Sequence, residues 1–364
     1  MKILFIFGTR PEAIKLAPLV NKFKLNIDVK ICVTGQHRQM LDQVLKVFNI
    51  TPDYDLNLMT ANQSLSELSS RLLISINNIL VKEHFDFIVV QGDTTTAMVG
   101  ALASFYNKVN VLHIEAGLRT NNIYSPFPEE INRQIISKIS YLNFAPTESN
   151  KLNLINEGVN EKKIFVTGNT GIDSLIWVLE NTRINISEFP FDITKEKYIL
   201  ITGHRRENFG NGFVNICEAI KSLAFKFPEI KFIYPVHLNP NVQEPVNKIL
   251  SNVPNIFLID PLDYVSFAHL MNNSFFIITD SGGVQEEAPC LGKPILVMRE
   301  STERIESTDN NGPYLVGTDK EKILFFSEKL LSDVNFYNTA SIKSYPYGKG
   351  DASDLIYNYL IKSL

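Results

Sequence analysis

The chain has 364 residues, of which 45% are hydrophobic and 20% charged, and a formal net charge of −4. This length predicts two domains of about 100 to 200 residues each, and the composition is typical of a folded globular protein. The mild acidity argues against a nucleic-acid partner, and no apolar run approaches the roughly 18 residues of a membrane span, so no membrane partner is expected. Met1 leads directly into a strand-like run without a secretory signal, which predicts a cytoplasmic protein.

Short β-branched apolar runs alternate with helical patterns, which predicts parallel sheets built from βαβ units. The first set is ILFIF, VKICV, FDFIVV, VNVLHI, YLNFAP and IFVTG, beginning at Ile3, Val29, Phe85, Val109, Tyr141 and Ile164. The rhythm restarts with YILITG, IKFIYPV, NIFLID, FFIITD and PILVM, beginning at Tyr198, Ile230, Asn255, Phe275 and Pro294. The predicted fold class is therefore α/β, with two Rossmann-like doubly wound domains.

A segment without periodicity, Arg183 to Lys197, separates the two sets of strands and contains a proline and several charges. We expect a hinge just before or within it. The predicted domains are an N-terminal Rossmann-like domain over residues 1–172 and a second one over residues 173–345. They would face each other across a cleft lined by the carboxyl ends of both sheets.

The turn after the first strand reads GTRPEAIK, Gly8 to Lys15, and combines a glycine with a proline suited to the first turn of a helix. An anion docked there would gain from free backbone amides and the helix dipole, with Arg10 and Lys15 adding positive charge. The alternative is that both cations are simply solvated. The spacing matches neither GxGxxG nor the Walker P-loop, which argues against NAD enzymes and P-loop NTPases.

Two acids, Asp93 and Glu115, follow apolar runs in QGDTTT and HIEAGLRT, and the acidic segment PFPEE, Pro126 to Glu130, comes shortly after. Because open parallel sheets bind ligands at the carboxyl ends of their strands, acids placed there are candidates for catalysis. Helix caps and turn acids are the structural alternative.

The second set of strands supplies two turns suited to a phosphate group. TGHRREN places His204 and Arg205 directly after a strand, where a guanidinium can bind phosphate oxygens and a histidine can assist a leaving group. A solvated charged turn is the alternative. TDSGGVQEEAP places Ser281, Gly282 and Gly283 between a strand and a helix, so that backbone amides can approach a ligand closely.

Two further residues of this half are candidates for binding a nucleoside. Glu287 lies a helical turn beyond the glycines, where it could accept hydrogen bonds from ribose hydroxyls, although a plain surface acid is equally expected. Phe267 could stack on a flat base, whereas such an aromatic residue usually packs in the core.

Three cysteines, Cys32, Cys217 and Cys290, lie far apart in apolar or small-residue surroundings, which predicts buried free thiols. The sequence has no CxxC pair, no HExxH and no His–carboxylate cluster at ligand spacing. Neither a metal nor a cofactor is therefore expected.

Together these motifs resemble those of the non-hydrolysing UDP-N-acetylglucosamine 2-epimerases, a bacterial family with the GT-B architecture of two facing Rossmann-like domains. The resemblance spans nearly the whole chain, and the density of motifs makes it specific. It rests on these segments, in family order: GTRPEAIKLAP, GQHRQMLDQVL, QGDTTT, HIEAGLRT, YSPFPEEINR, FAPTE, VTGNT, GHRREN, HLNPNV, DSGGVQEEAP, GKPILVMR, STER and PYGKGDAS.

The resemblance implies roles for individual residues. Catalysis would use Asp93, Glu115, Glu129 and His204. The UDP-sugar would be bound by Arg10, Lys15, Phe267, Ser281, Gly282, Gly283, Glu287 and Arg304. An effector pocket, in which the substrate itself activates turnover, would include Gln36, Gln39, Arg205 and His237. The family also implies a homodimer, and a final helix within residues 346–364 that crosses back onto the first domain.

The implied reaction inverts C2 of UDP-N-acetylglucosamine reversibly and gives UDP-N-acetylmannosamine for surface polysaccharide synthesis. An anti elimination removes UDP from C1 and the proton from C2, which gives 2-acetamidoglucal. UDP adds back after a proton arrives on the opposite face of C2. Because both faces must be served, at least two acid–base groups are required. The reaction is redox-neutral overall, so no nicotinamide is implied.

Some positions depart from the family pattern. After STER, the segment IESTDNNGPY, Ile305 to Tyr314, replaces the usual run, and Leu262 and Asn62 also differ from common family residues. These departures keep open a 2-epimerase of another UDP-2-acetamido sugar, such as a 2,3-diacetamido uronate or a 6-deoxy sugar. A GT-B glycosyltransferase is a further alternative, but it would need an acceptor groove. A silent sugar-nucleotide sensor would not need the full set of acids.

Overall fold

Two parallel β-sheets flanked by helices form the two halves of the chain. The computed structural model describes residues 1–35, 38–58, 60, 63–302, 304 and 313–364. The chain divides into two compact units: unit 1 comprises Met1–Trp177 with Tyr347–Leu364, and unit 2 comprises Val178–Pro346. The divergent position Asn62 and most of the divergent segment after Arg304 lie outside the described residues.

Unit 1 contains one parallel sheet and eight of the described helices. Its strands are β1 (Lys2–Phe7), β2 (Asp28–Val33), β3 (Tyr54–Asp55), β4 (Phe87–Gln91), β5 (Asn110–Ile114), β6 (Leu142–Ala145) and β7 (Ile164–Val166). Its helices are α1 (Arg10–Lys24), α2 (Arg38–Val47), α3 (Leu65–Lys82), α4 (Thr95–Tyr106), α5 (Glu129–Ile139), α6 (Glu148–Asn156), α7 (Thr170–Asn181) and the final helix α14 (Ala352–Lys362). The strand order is β3-β2-β1-β4-β5-β6-β7, and the last turn of α7 belongs to unit 2.

Unit 2 repeats this plan with a sheet in the order β10-β9-β8-β11-β12-β13. Its strands are β8 (Tyr198–Thr202), β9 (Lys231–Pro235), β10 (Ile256–Ile259), β11 (Phe276–Thr279), β12 (Ile295–Val297) and β13 (Tyr314–Leu315). Its helices are α8 (Asn211–Lys226), α9 (Pro240–Leu250), α10 (Tyr264–Asn273), α11 (Gly282–Glu287), α12 (Lys320–Ser332) and α13 (Val334–Ala340). Across both units, the described helices include none with the length and apolar character that a bilayer-spanning segment needs.

The predicted α/β class and all the predicted strands are confirmed. Helices cover both faces of a parallel sheet, so its central strands read as continuous apolar runs, as in β4, where every residue is buried. The prediction missed β3 and β13, which have two residues each. A strand of that length carries no detectable periodicity.

The order of the strands reverses beside the first strand of each sheet. In unit 1, β1 lies between β2 and β4, and in unit 2, β8 lies between β9 and β11. Such a reversal leaves a crevice at the carboxyl ends of the two central strands, where doubly wound folds bind their ligands. The turns after β1, β4, β8 and β11 are therefore the places to look for a site.

The final helix, α14, packs within unit 1. Asp173, in α7, accepts the backbone amide of Ser353 at 2.7 Å through Oδ1, so a residue distant in sequence caps the start of α14. Tyr357 packs edge-on against Phe23 of α1, with ring centroids 5.4 Å apart. The end of the chain is thus part of the core built around β1.

The three cysteines are free and buried, as predicted. Burial raises the pKa of each thiol, Cys32, Cys217 and Cys290, to about 12. Because the thiolate is the reactive form, these residues are inert in the native protein at neutral pH.

Candidate active site

The turn after β1 is closed by its own carboxylate. Thr9 is the N-cap of α1 and forms a capping box with Glu12. Glu12 Oε2 accepts the backbone amides of Gly8 at 3.0 Å and Thr9 at 2.8 Å. The expectation that free amides in this turn would hold an anion is wrong for these two groups, because Glu12 occupies them. Burial raises the pKa of Glu12, which is only 1% exposed.

Glu12 also joins this turn to the turn after β4. Its Oε1 accepts the hydroxyl of Thr94 at 2.7 Å, and Thr94 is the N-cap of α4. Gly8 permits the close approach of α4, since a Cβ there would lie 2.8 Å from Thr96 Oγ1, and it also leaves room for Thr34 Oγ1, which would be 2.2 Å away. The sequence analysis missed Glu12, although Thr9 and Glu12 match the S/T-x-x-E spacing of a capping box.

Asp93, directly after the Gly92 turn, is held by α5. Its Oδ2 accepts the Nη2 of Arg133 at 2.7 Å, and its backbone carbonyl accepts the side-chain amide of Asn132 at 2.9 Å. The side chain of Asp93 is 26% exposed, whereas that of Arg133 is 9% exposed. The predicted acid is therefore reachable from solvent on one side and fixed by a buried guanidinium on the other.

Glu115 follows β5 in the left-handed backbone region, with φ of 64°. Its Oε1 accepts Lys15 Nζ at 2.5 Å and the side-chain amide of Asn169 at 3.3 Å, and its Oε2 accepts the side-chain amide of Gln91. A Cβ on Gly92 would lie 3.7 Å from Glu115 Oε2, so this carboxylate borders the turn after β4. The structure thus brings the predicted residues Lys15 and Glu115 into contact.

Two adjacent glutamates at the start of α5 have different surroundings. Glu129 Oε2 is buried and has no hydrogen-bond partner among the described residues. Glu130, which is fully buried, accepts the amides of Thr120 at 3.1 Å and Asn121 at 3.3 Å, and the side-chain amide of Gln134 at 3.2 Å. Glu130 is an anchor for the preceding loop, whereas Glu129 keeps an oxygen available for proton transfer.

In unit 2, His204 after β8 lies beside Asp280 after β11. His204 Nδ1 is 3.3 Å from Asp280 Oδ1, and Asp280 Oδ2 accepts the backbone amides of His204 and Arg205, both at 2.8 Å. Partial burial lowers the pKa of His204, and the nearby Asp280 charge opposes this shift. The sequence analysis missed Asp280, although it follows a strand directly, as Asp93 nearly does.

The Ser281–Gly283 turn meets the guanidinium of Arg304. A Cβ on Gly282 would lie 2.8 Å from Arg304 Cζ, so the turn and the guanidinium are in close contact. Arg304 also pairs with the buried Glu286, with Nη2 at 2.9 Å and Nε at 3.0 Å from Oε1. The Ser281 side chain forms no capping hydrogen bond with α11. The Ser281 amide donates to Thr279 Oγ1 at 3.0 Å, so it is the amides of Gly282 and Gly283 that this turn presents next to a fixed cation.

The remaining predicted substrate-binding residues are Arg10, at the start of α1, Phe267, in α10, and Glu287, at the end of α11. All three are partly buried.

Of the predicted effector residues, Arg205 and His237 lie beside His204. The rings of His204 and His237 are stacked, with centroids 5.6 Å apart and planes at 22°. Gln39 lies in α2, and its side chain, like the whole of Gln36, is outside the described residues.

The two units offer different chemistry. In unit 1, Asp93, Glu115 and Glu129 provide carboxylates that can move protons or stabilise positive charge. In unit 2, the turns carrying His204 and Ser281–Gly283 provide donors suited to phosphate oxygens. Among the described residues, His, Cys, Asp and Glu do not gather in groups of three that could hold a metal ion.

Comparison with known proteins gives full-length matches. A family model described as UDP-N-acetylglucosamine 2-epimerase matches residues 21–361. The UDP-N-acetylglucosamine 2-epimerase of Campylobacter jejuni is 52% identical to this chain, covering 99% of this chain and 97% of that protein. The protein of the same name from Escherichia coli K12 is 49% identical, with 98% and 97% covered.

Solved structures agree with this result. The UDP-GlcNAc 2-epimerase of Neisseria meningitidis, bound to UDP-GlcNAc, has a TM-score of 0.92 at 47% identity, with 100% of both chains covered. That of Methanocaldococcus jannaschii, in complex with UDP-GlcNAc and UDP, has a TM-score of 0.82 at 36% identity, again with 100% of both chains covered.

His113, in β5, supports the turn that carries Asp93. It is fully buried, and its Nε2 donates to the Gly92 carbonyl at 2.8 Å. Burial lowers the pKa of His113 to about 4, whereas an unfolded chain has a histidine pKa of about 6.5. Between these values the unfolded chain binds a proton that the native protein does not, so the free energy of unfolding falls as pH falls from about 6.5 towards 4.

We expect His113 to account for a loss of about 1.5 kcal/mol in the free energy of unfolding between pH 6.5 and pH 5, because the full slope of about 1.4 kcal/mol per pH unit applies only below the pKa of the unfolded chain. Urea unfolding of the wild type and of His113→Asn at both pH values measures this, because the variant lacks the titrating ring. His84→Asn is the control, since the His84 side chain is 85% exposed. The same pH dependence in wild type and His113→Asn would contradict the prediction.

Proposed function

The chain belongs to the UDP-N-acetylglucosamine 2-epimerase family, and we propose that it interconverts UDP-N-acetylglucosamine and UDP-N-acetylmannosamine without hydrolysing them. The observation that carries the proposal is the buried Glu115 carboxylate, which Lys15, Gln91 and Asn169 hold beside the turn that bears Asp93. A carboxylate fixed in this way can place a cation and stabilise charge beside an acid that moves a proton. The product would supply surface polysaccharide synthesis.

We propose that unit 2 binds the UDP part of the substrate. The α1 turn of unit 1 has its first amides engaged by Glu12, whereas the Ser281–Gly283 turn has no side-chain cap and lies against Arg304. An anion gains most where amides and a guanidinium converge. Glu287 would accept hydrogen bonds from the ribose, and Phe267 would contact the uracil. The Neisseria meningitidis relative was solved with UDP-GlcNAc bound, which supports this choice of ligand.

The proposed reaction is an elimination followed by a re-addition. A carboxylate takes the C2 proton while the C1–O bond breaks, the electron pair of the C–H bond forms the C1=C2 double bond, and UDP leaves with the bonding pair of electrons. His204 would donate a hydrogen bond to the departing diphosphate. A second group then protonates C2 from the other face, and a diphosphate oxygen attacks C1. Atoms and charge balance without an oxidant or a reductant.

The contacts suggest how the carboxylates divide these tasks. Both oxygens of Glu115 accept hydrogen bonds, and its main partner is Lys15. Asp93 is held through Oδ2 alone, and Glu129 keeps Oε2 without a partner among the described residues. We therefore assign the two proton transfers to Asp93 and Glu129, with Glu115 placing the Lys15 ammonium and stabilising charge in the site.

Glu129→Gln should lower turnover by about 10²- to 10⁴-fold, since it removes one acid–base group, and should leave UDP affinity nearly unchanged. Proton NMR in D₂O with UDP-N-acetylglucosamine, without added cofactor, follows the C2 and anomeric signals. Wild type should give the manno epimer with deuterium at C2. Glu148→Gln is the matched control, because Glu148 is also the first residue of its helix but is exposed.

Other products would decide against the proposal. Free N-acetylmannosamine with UDP would mean a hydrolysing enzyme. An unchanged spectrum from folded wild type that binds UDP would point to a different UDP-2-acetamido sugar. Full activity in Glu129→Gln would remove Glu129 from the proton-transfer role.

We also propose that the protein is a homodimer. Four large apolar side chains in the second half of α3 and at the end of α4 are exposed, namely Ile74 at 60%, Val81 at 71%, Phe105 at 54% and Tyr106 at 62%. The side-chain amide of Asn107, which follows α4, donates to Asn77 Oδ1 in α3 at 3.0 Å, which places the end of α4 beside α3. A cluster of exposed apolar residues of this kind is typical of an interface.

Val81→Glu with Phe105→Glu should therefore convert a dimer into a monomer in light scattering, because both charges would be buried in the interface. The control is Val334→Glu, since Val334 in α13 is also 71% exposed. A monomeric wild type, or a double variant that stays dimeric, would contradict this interface.

We further propose that a second molecule of the UDP-sugar activates the enzyme near Arg205 and His237. His237 stacks on His204, and the backbone amides of Arg205 and His204 both donate to Asp280 Oδ2. A ligand that binds Arg205 or His237 would therefore move His204. The initial rate should then rise sigmoidally with substrate concentration, and Arg205→Met should make the curve hyperbolic. A hyperbolic curve for the wild type would contradict activation.

A further inference from the structure

We propose that Arg133 is a positioning residue that sets the Asp93 carboxylate for proton transfer, and that the buried Glu130 is the anchor that holds Arg133. The inference rests on the proposed function, because it requires Asp93 to act in catalysis. All the parts lie in unit 1, on α5 and on the turn after β4.

The guanidinium of Arg133 lies between two carboxylates. Its Nη2 is 2.7 Å from Asp93 Oδ2, and its Nη1 is 3.4 Å from Glu130 Oε2. A planar fork held at both terminal nitrogens cannot turn without breaking one contact. The orientation of Arg133, and with it the position of Asp93 Oδ2, is therefore determined by Glu130.

Glu130 is suited to this role because it is itself immobilised. It is 0% exposed, and its oxygens accept the backbone amides of Thr120 and Asn121 and the side-chain amide of Gln134. A buried carboxylate with this many donors keeps its place. Since Thr120 and Asn121 belong to the segment that follows Glu115, the same anchor ties that segment to α5.

The backbone of Asp93 is held by the same helix. The side-chain amide of Asn132 donates to the Asp93 backbone carbonyl at 2.9 Å. The next residue of the helix, Arg133, contacts the Asp93 side chain. Glu129, the other proposed proton-transfer residue, is the first residue of α5. The separation of the two proposed acid–base groups is thus set by one rigid helix.

A merely stabilising role does not require these residue types. Replacing a buried ion pair by apolar residues of similar size is often neutral or stabilising. An ion pair that leaves one carboxylate partly exposed, as Asp93 is, serves to place that carboxylate. Arg119 offers a comparison, because its side chain is 2% exposed and it binds both oxygens of Glu157, which is not one of the proposed acids, at 2.6 and 2.7 Å.

The test compares Arg133→Met, Arg133→Lys and Arg119→Met with the wild type in the epimerisation assay. Arg133→Met should lower kcat by about 100-fold, as expected when a reacting group is misplaced by about 1 Å, with the Kd for UDP changed by less than about threefold. The kcat of Arg133→Lys should be about tenfold higher than that of Arg133→Met, because lysine restores the positive charge but not the planar guanidinium with its two terminal nitrogens.

Chemical rescue separates positioning from folding. Guanidinium chloride at about 20 mM, far below the molar concentrations that unfold proteins, should raise kcat of Arg133→Met about tenfold or more and leave the wild type and Arg119→Met unchanged. Arg119→Met should lower the unfolding midpoint at least as much as Arg133→Met while keeping kcat within about threefold of the wild type.

Two results would overturn the inference: kcat of Arg133→Met within about threefold of the wild type, or a loss that neither lysine nor guanidinium restores. Asp93→Asn is measured alongside. If Asp93→Asn turned over at the wild-type rate, the proposed function of Asp93 would fail, and that result is distinct from a failure of Arg133.

Discussion

A buried carboxylate that accepts backbone amides joins the two central strand ends in each half of the molecule. In unit 1, Glu12 binds the turn after β1 and the hydroxyl of Thr94 after β4. In unit 2, Asp280 after β11 binds the amides of the turn after β8. Turns at a topological switch point must diverge to opposite faces of the sheet, and a carboxylate with several donors holds them together at the point of divergence.

In the proposed function, these two carboxylates also decide which unit binds the diphosphate. Glu12 occupies two backbone amides of the α1 turn, and Lys15, one of the cations on the same helix, is directed to Glu115. In unit 2 the carboxylate serves the turn after β8, and the neighbouring Ser281–Gly283 turn keeps its uncapped start beside Arg304. In the proposed function, acid–base groups and phosphate-binding groups therefore lie on two different copies of the same architecture.

The sequence allowed the fold and part of the site to be predicted. The strands were predicted from apolar runs, because a parallel sheet is buried on both faces. Asp93 and Glu115 were predicted as site residues because they follow such runs. Glu12, Asp280 and Arg133 were missed. The Arg133–Asp93 contact joins residues that are forty positions apart, and no periodicity or local spacing encodes such a pair. Only the register of β4 against β5 and the packing of α4 on α5 bring them together. The capping-box spacing of Glu12 and the position of Asp280 directly after β11 were the local patterns that could have been used.

Glu115 shows how the backbone aims a carboxylate. A residue with a side chain costs roughly 1–2 kcal/mol in the left-handed region, yet Glu115 adopts φ of 64°. Hydrogen bonds of the neighbouring residues hold Glu115 in this conformation. The amide of Ala116 donates to the Phe144 carbonyl at 2.9 Å, and the Ile114 carbonyl accepts the amide of Gly92 at 2.9 Å. An extended residue at this position would continue β5 and direct its side chain to a face of the sheet. The left-handed turn instead directs the carboxylate along the sheet edge towards Lys15, so the strain is the physical means by which this acid reaches its partners.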